Sequence, residues 1–231
     1  MNRPRSHPLA SHASAGRQRA AVILAIAGLL LAAGCGSGDE VAAGNEPDSK
    51  YSGVVLGEPT NRPQFTLTDL DGNPFDFYEQ TDGKLTFLFF GYTNCPDVCP
   101  VHMAQLSEIL ARPGMPSAKV VFVTADPTRD TPKVMEKFLG NFDPEFIGLT
   151  GTEEEIRAAE KAAGIHPAQF DTEDGKPDPD GDYTVSHAGQ VLAFAPDNRG
   201  YTVYPFGTRA SQSSGDIPLL AAIKPVSGSN P

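Results

Sequence analysis

Short apolar runs and amphipathic stretches follow one another along the middle of the chain. The most apolar run is residues 85–90 (LTFLFF), which ends at a glycine and is typical of a strand buried on both faces. Residues 120–124 (VVFVT) form a second run of this kind, and residues 146–149 form a shorter one. Helical spacing of apolar positions, together with capping and stop residues, predicts helices at about residues 99–110, 132–142, 152–163 and 216–223.

Two predicted hairpins flank this central part. Residues 64–69 alternate like a half-buried strand, residues 71–73 make a turn, and residues 74–77 return. Further along, the apolar runs 185–194 and 201–206 are joined by a turn and predict a second antiparallel hairpin.

The order of these elements predicts the fold class. Strands and helices alternate around buried strands, and an antiparallel hairpin closes the series, as in an α/β sandwich on a mixed sheet. A cysteine pair lies between a buried strand and the next helix, which is the position of the redox motif in thioredoxin-like folds. We therefore predict a thioredoxin-like fold: a central mixed sheet flanked by helices, with an N-terminal β-hairpin.

The first 35 residues have the features of an export signal. Four arginines precede an apolar stretch at residues 20–33, which is too short to be a comfortable membrane span. The stretch ends in Leu-Ala-Ala-Gly-Cys and resembles a bacterial lipoprotein signal, in which Cys35 would be lipidated and become the first residue. Ala32 stands where such signals usually carry leucine, and the alternative is an ordinary signal peptide cut nearby.

The rest of the chain divides into three parts. Residues 36–50 are small, polar and acidic, which indicates a flexible tether. Residues 51–226 are long enough for one well-buried domain, and residues 227–231 form a tail.

The charge of the exported part is strongly negative. The whole chain has 18 basic and 29 acidic residues and a net charge of −11. Loss of the signal with its four arginines leaves 14 basic residues against 29 acidic ones, a net charge of −15. This balance argues against a nucleic acid or an anionic membrane surface as the partner, and it suits cations or a basic protein surface.

The cysteine pair Cys95 and Cys99 carries the candidate chemistry. We expect Asn94 to cap the following helix and Pro96 to lie in its first turn, which would place both cysteines on one helical face with Cβ atoms about 5–6 Å apart. Such sulfurs can form a disulfide or bind one metal ion. A disulfide that closes only three intervening residues would stabilise the fold little, so metal or redox chemistry is the better interpretation.

Four segments together resemble the Sco/SenC family of exported, thioredoxin-like copper proteins. They are residues 87–94, the Cys95–Pro100 motif CPDVCP, the segment 126–132 (DPTRDTP), and Val185-Ser186-His187. The resemblance extends over about residues 53–223. The acidic insertion at residues 171–182 departs from the pattern because it is longer than needed.

The resemblance implies a site and a function. Cys95, Cys99 and His187 would be copper ligands, for Cu(I) and Cu(II). The protein would be lipid-anchored on the extracytoplasmic face of the bacterial cytoplasmic membrane. There it would deliver copper to, or prepare, the binuclear copper site of cytochrome c oxidase subunit II, and other copper chaperones or thiol reductases would be further partners.

Ligand chemistry agrees with this implication. Thiolates bind Cu(I), and an added imidazole accommodates Cu(II). A structural zinc site would need four ligands, and the sequence offers three. His102 is a rival ligand three residues after Cys99, although an exposed helix histidine is the simpler interpretation, and His166 is a loop residue.

Two acidic segments also have alternative interpretations. Asp126 and Asp130 either support the site or dock a partner, or they simply belong to a turn that leads into a helix. The acidic residues of 171–182 lack the spacing of a calcium-binding loop and predict a solvated loop.

Two enzymatic alternatives remain beside a metallochaperone. In a thiol–disulfide oxidoreductase, Cys95 would attack a substrate disulfide and Cys99 would resolve the mixed disulfide. A thiol peroxidase would need an arginine near Cys95, and no arginine lies between Arg62 and Arg112. His187 separates these classes, because a dithiol reductase has no need of it and a Cu(II) site does.

Overall fold

The computed structural model of the protein describes residues 50–225. The predicted signal peptide with Cys35, the predicted tether except its last residue, and the predicted tail lie outside the described residues.

Strands and helices alternate in the middle of the described chain, with a run of consecutive strands on either side. Within residues 50–225 the strands are β1 Val54–Asn61, β2 Thr66–Asp69, β3 Pro74–Asp76, β4 Thr86–Gly91, β5 Lys119–Thr124, β6 Ile147–Thr150, β7 Gln169–Phe170, β8 Val185–Ser186, β9 Val191–Phe194 and β10 Arg199–Tyr204. The helices of the same part are α1 Phe77–Thr81, α2 Val98–Leu110, α3 Pro132–Leu139, α4 Glu153–Ala162 and α5 Ala210–Ala221.

Most of the strands join one mixed sheet, in the order β1-β10-β9-β4-β5-β6-β2-β3, while β7 and β8 pair separately. Strands β4, β5 and β6 run parallel to one another, and their other pairings in this sheet are antiparallel. The pairing of β2 with β3 is the predicted N-terminal hairpin.

Strand β4 lies at the centre of the sheet, and all six of its residues are buried. Phe87 and Phe89 point into an apolar cluster shared with α2, α3 and α5, and Leu88 and Phe90 point into a second cluster shared with α1 and α4. The prediction of a strand buried on both faces is therefore confirmed, as is the thioredoxin-like α/β class.

Local sequence signals place two helix starts correctly. The Thr131 side chain accepts a hydrogen bond from the Val134 N–H, with Pro132 as the first helical residue. Thr152 and Glu155 form a reciprocal capping box at the start of α4, and Gly164 beyond its end has a φ of 72°.

Three elements were not predicted: β1, α1 and β7, of which β7 has only two residues and pairs with β8. Strand β1 is mostly exposed, contains Gly57 and Pro59, and pairs with β10 at the edge of the sheet. Its sequence therefore has neither the alternation nor the apolar run from which a strand is predicted. Helix α1 has five residues, too few for a periodic pattern, and its start is fixed by the Asp76 side chain accepting from the Glu79 N–H.

Several predicted elements differ by a few residues from the observed bounds, and two of them differ more. The single strand predicted at residues 185–194 is split into β8, which pairs with β7, and β9, which pairs with β4 and β10, so that residues 187–190 form a loop. Helix α5 begins at Ala210, six residues earlier than predicted, and includes Pro218. None of the helices in the described part of the chain is long and apolar enough to cross a bilayer.

Candidate metal centre

The parallel pairing of β4 with β5 brings two loops to the same edge of the sheet. Strand β4 ends at Gly91 and leads into the turn that carries Cys95, while β5 ends at Thr124 and leads into Asp126. Strand β9 pairs antiparallel to β4, so the loop 187–190 just before β9 reaches this edge as well. Ligand sites of open α/β sheets lie at this carboxyl edge.

Helix α2 begins at Val98, close to the predicted start at about residue 99, but its cap is not the expected one. Asp97 is the N-cap of α2, and its carboxylate accepts from the Val98 N–H at 2.6 Å. The expected cap at Asn94 and the expected place of Pro96 in the first turn are therefore wrong. Cys95 lies in the preceding turn and Cys99 in the first turn of α2, so a shared helical face is not what brings the sulfurs together.

The fold nevertheless gathers the three residues predicted as ligands. Nε2 of His187 lies 3.6 Å from Sγ of Cys99 and 3.9 Å from Sγ of Cys95. The three potential ligand atoms all lie within 4.8 Å of one another, and both cysteines are free thiols. Cys99 is fully buried, Cys95 is 8% exposed and His187 is half-buried, so the centre opens to solvent on the side of Cys95 and His187.

These separations fit one metal ion. Bonds of about 2.3 Å to sulfur and about 2.0 Å to nitrogen, at angles of about 105–120°, require sulfur–nitrogen distances of about 3.4–3.7 Å. The observed 3.6 and 3.9 Å differ from that range by at most a few tenths of an ångström. Two thiolates and an imidazole are a donor set that suits copper in either oxidation state.

The pKa values of the two thiols are shifted in opposite directions. The pKa of Cys95 is lowered to about 3, first because the Cys99 thiol donates a hydrogen bond to its sulfur and then because the Cys99 backbone N–H also donates to it. Burial raises the pKa of Cys99, and the neighbouring Cys95 sulfur raises it further. Near neutral pH the pair therefore holds one proton, on Cys99, and Cys95 is the nucleophilic thiolate.

A backbone contact orients the imidazole of His187. Its Nδ1 lies 3.1 Å from the carbonyl oxygen of Ala188, and because a carbonyl only accepts, Nδ1 carries the proton. In the neutral ring the Nε2 lone pair then faces the two sulfurs, as metal binding requires. The ring is also held edge-on between Phe89 and Tyr92, at centroid distances of 5.8 and 5.6 Å.

Asp130 anchors the turn that carries Cys95. Its buried carboxylate accepts from the backbone N–H and the hydroxyl of Thr93, and from the hydroxyl of Thr124 at 2.7 Å. Burial raises the pKa of Asp130, and these hydrogen bonds partly oppose that rise. Of the two interpretations of this acidic segment, support of the site fits these contacts.

Asp126 links the segment that follows β5 to the end of the acidic loop 171–182. It is fully buried and accepts from Nε of Arg129 at 2.6 Å and from the hydroxyl of Tyr183 at 2.8 Å. The Arg129 guanidinium also lies over the Tyr183 ring, at 3.5 Å from its centroid. This network holds the end of the acidic loop against the segment that follows β5.

The remaining candidate residues lie outside the centre. His102 is buried rather than exposed as expected, and its Nε2 lies 3.0 Å from the carbonyl oxygen of Gly189. His166 is exposed in a loop. Among residues 50–225, the trio of Cys95, Cys99 and His187 is the one group of His, Cys, Asp or Glu whose atoms converge on a common metal position, so the acidic loop does not contribute.

Three contacts of the centre were not anticipated from the sequence: the aromatic ring of Tyr92, the close approach of Gly91 and the hydrogen bond of His102. A Cβ added at Gly91 would lie 2.7 Å from Sγ of Cys99, so only glycine fits behind that sulfur. The glycine at the end of the apolar run was a visible signal for this close approach, whereas nothing in the sequence pairs His102 with Gly189.

Comparison with known proteins gives a consistent result. Residues 56–221 match the family model described as SCO1/SenC. The chain is 34% identical over 170 residues to "Protein SCO2, mitochondrial" of Saccharomyces cerevisiae, an alignment that covers 71% of this chain and 52% of that protein. This chain thus spans about half the length of that curated relative.

Solved structures resemble the fold. The crystal structure of yeast Sco1 with copper bound has a TM-score of 0.60 at 28% identity, covering 71% of this chain and 87% of that one. The structure of Bradyrhizobium japonicum ScoI with copper bound has a TM-score of 0.57 at 31% identity, covering 71% and 99%.

Proposed function

Because this chain belongs to the SCO1/SenC family, we propose that it binds copper through Cys95, Cys99 and His187 and supplies it during cytochrome c oxidase assembly. Sco proteins are copper-binding proteins of that assembly process. The acceptor that we propose is the binuclear copper site of subunit II, which the protein loads or prepares.

The convergence of two sulfurs and one imidazole nitrogen carries this proposal. The donor set holds Cu(I) through the thiolates and accommodates Cu(II) through His187. Three ligands leave a position open to an incoming thiolate, so copper can pass on by ligand exchange. Cys95 is the more exposed of the two sulfurs, and we expect its bond to copper to be replaced first.

We further propose that the protein is held at the membrane by a lipid on Cys35, on the extracytoplasmic side. The proposal is supported by the signal-like pattern of residues 1–35 alone. A tether of residues 36–50 would let the domain reach at most about 50 Å from the anchor, at about 3.3–3.6 Å per residue.

A second candidate function is thiol–disulfide exchange, and the low pKa of Cys95 favours it. The Cys95 thiolate would attack a disulfide of the target protein and form a mixed disulfide. Cys99 would then lose its proton and attack Cys95, which leaves a Cys95–Cys99 disulfide and a reduced target dithiol. Another dithiol protein would have to reduce the Cys95–Cys99 pair before the next cycle.

A copper titration of the reduced full-length chain in detergent tests the first proposal. We expect one copper per chain, with sulfur-to-copper charge-transfer absorption and a Cu(II) electron paramagnetic resonance spectrum. His187→Ala should weaken or abolish the Cu(II) complex while Cu(I) binding by the two thiolates persists. His166→Ala removes an exposed histidine of the neighbouring loop and is the matched control, which should behave like the parent protein.

Identical spectra from the parent and His187→Ala would rule out His187 as a ligand. Absence of a stable copper complex in the parent would remove the copper proposal, and thiol–disulfide exchange with an oxidised target peptide would then be the function to measure.

A further inference from the structure

His102 is a buried polar group on the helix that carries Cys99. Its side chain lies three residues after Cys99 on α2 and is 3% exposed, among the apolar side chains of that helix face. Burying an imidazole costs free energy unless its polar atoms find partners. The contacts of His102 therefore indicate what the residue does.

The ring makes one directed contact, to the loop that carries His187. Nε2 of His102 lies 3.0 Å from the carbonyl oxygen of Gly189, and because that oxygen can only accept, Nε2 is the donor. Burial lowers the pKa of His102, which keeps the ring neutral with a single N–H near neutral pH. The bond therefore sets both the tautomer and the direction of the ring.

Aromatic packing fixes the position from which His102 donates. Its ring lies edge-on to Phe89 of strand β4, with a centroid distance of 5.1 Å, and to Phe206 at 6.1 Å. Phe89 is also one of the two rings that hold His187. Because the His102 ring is packed between strand β4 and helix α2, its Nε2–H donor has a fixed position.

The loop that accepts this hydrogen bond has no secondary structure of its own to hold it in place. Residues 187–190 belong to no helix or strand, lying between β8 and β9. Gly189, two residues after His187, comes close to α2 at Val98, where an added Cβ would lie 3.8 Å from a methyl carbon. A small shift of this loop would move Nε2 of His187 away from the sulfurs, at 3.6 and 3.9 Å.

We propose that His102 is a positioning residue, whose Nε2–H···O=C bond to Gly189 holds the loop 187–190 against α2 and keeps His187 within reach of Cys95 and Cys99. This inference rests on the proposed copper site. Since thiolates alone hold Cu(I) and the imidazole serves Cu(II), His102 acts on Cu(II) binding far more than on Cu(I) binding.

Two variants of the reduced full-length chain in detergent test this role. His102→Phe keeps an aromatic ring of similar size and removes the donor, whereas His102→Gln keeps an N–H donor at a similar reach. We expect His102→Phe to weaken Cu(II) binding by about 10–100-fold, the usual cost of removing a group that orients a metal ligand, and to change the charge-transfer and paramagnetic resonance spectra. Cu(I) affinity should change by less than about threefold, and His102→Gln should recover most of the loss.

A measurement without metal separates this proposal from the proposed function. Amide hydrogen exchange of residues 187–190 in the copper-free chain should become faster in His102→Phe and return towards the parent rate in His102→Gln. If the parent binds no Cu(II) and this exchange pattern is still seen, the copper proposal fails and the positioning role stands.

Three results would overturn the positioning role. One is a His102→Phe protein with parent-like Cu(II) affinity and parent-like loop exchange. Another is an equal loss of Cu(I) and Cu(II) binding, which would make the effect general. The third is loss of a nitrogen coupling in both variants while loop exchange is unchanged, which would make His102 itself a ligand.

Discussion

The polar groups at the two ends of strand β4 differ in how fully their hydrogen-bonding capacity is used. At its start, Thr86 accepts a hydrogen bond from Arg62, a buried side chain that is 2% exposed. Beyond its end, the turn after Gly91 presents Cys95 to Cys99 and His187. Both ends bury polar atoms against the same apolar strand, so the difference between them reflects their roles.

Arg62 is fully satisfied. A guanidinium has five N–H donors. Arg62 uses them in hydrogen bonds of 2.7–3.0 Å to the side chains of Thr81, Thr86 and Asn198 and to the carbonyls of Lys84 and Ala195. Burial lowers the pKa of Arg62 to about 10, which still leaves it charged at neutral pH.

The sulfur and imidazole atoms at the other end are held mainly by weaker contacts. Their mutual distances are 3.6 and 3.9 Å, and the proton of the thiol pair stays on Cys99. The tight hydrogen bonds of this region belong instead to supporting groups such as Asp130 and His102. Saturated polar groups stabilise a fold, whereas groups left with free electron pairs remain available to bind.

The sharpest way to separate the two ends is to remove one sulfur. Cys99→Ser should lower Cu(I) affinity by more than the roughly 10–100-fold that changes around a metal ligand cost, because a hard hydroxyl replaces a soft thiolate. The free energy of unfolding should fall by only about 1 kcal/mol. Competition titration against a Cu(I) chelator and urea unfolding measure the two quantities, and parent-like Cu(I) affinity would contradict the proposed site.

The converse prediction concerns Arg62, at the start of strand β4. Arg62→Met should lower the free energy of unfolding by about 3 kcal/mol, because it leaves buried acceptors without donors. Copper affinity should stay within about threefold of the parent. Urea unfolding measures the loss, with Arg157→Met as the control, since this partly exposed helix arginine forms a surface ion pair with Glu153, and its replacement should cost less than about 0.5 kcal/mol. Equal costs for both variants would contradict the assignment of Arg62 as a structural group.

Gly91 joins the strand to the site, so a change there should affect both properties. Gly91→Ala places a methyl 2.7 Å from the Cys99 sulfur and 2.7 Å from the Phe89 ring. We expect a loss of about 1–3 kcal/mol in the free energy of unfolding and about tenfold weaker copper binding. Gly57→Ala is the matched control, because its Cβ would meet nothing within 4 Å. A copper affinity unchanged by Gly91→Ala would mean that the sulfur adjusts freely.

The smallest expected effect is in the alkylation rate of Cys95, which should stay nearly constant as the pH changes. Because the pKa of Cys95 is lowered to about 3, its thiolate fraction hardly changes at higher pH, and its alkylation rate should vary by less than about threefold between pH 5 and 8. An ordinary thiol, with a pKa of about 8.5, would become about tenfold faster per pH unit. Mass spectrometry of the Cys95 peptide after iodoacetamide treatment measures the rate. In Cys99→Ala the hydrogen bond from the Cys99 thiol is lost, and the alkylation rate of Cys95 should become more dependent on pH.

Much of this organisation could be predicted from local signals in the sequence. The apolar run at residues 85–90 predicted a doubly buried strand, and local signals predicted the starts of α3 and α4 to within one residue. These signals succeed because burial on both faces and helix capping depend on residues within a few positions of one another. The identity of the proposed ligands came from motif resemblance, which was likewise readable in the sequence.

Predictions failed where the deciding partner lies far along the chain or the element is too short for a pattern. Strand β1 is defined by its pairing with β10, and the predicted strand at residues 185–194 is split because its two halves pair with different strands. The cap of α2 was also misassigned, because the N-cap is Asp97 and not the expected Asn94.

The sequence by itself identified the candidate ligands and predicted the layered α/β order that presents them. Only the tertiary structure decided that His187 meets sulfurs 88 and 92 positions away, and that His102 is buried against Gly189, 87 positions away. The physical reason is that periodicity and capping are short-range, while side-chain contacts at a sheet edge depend on which strands pair and in what register.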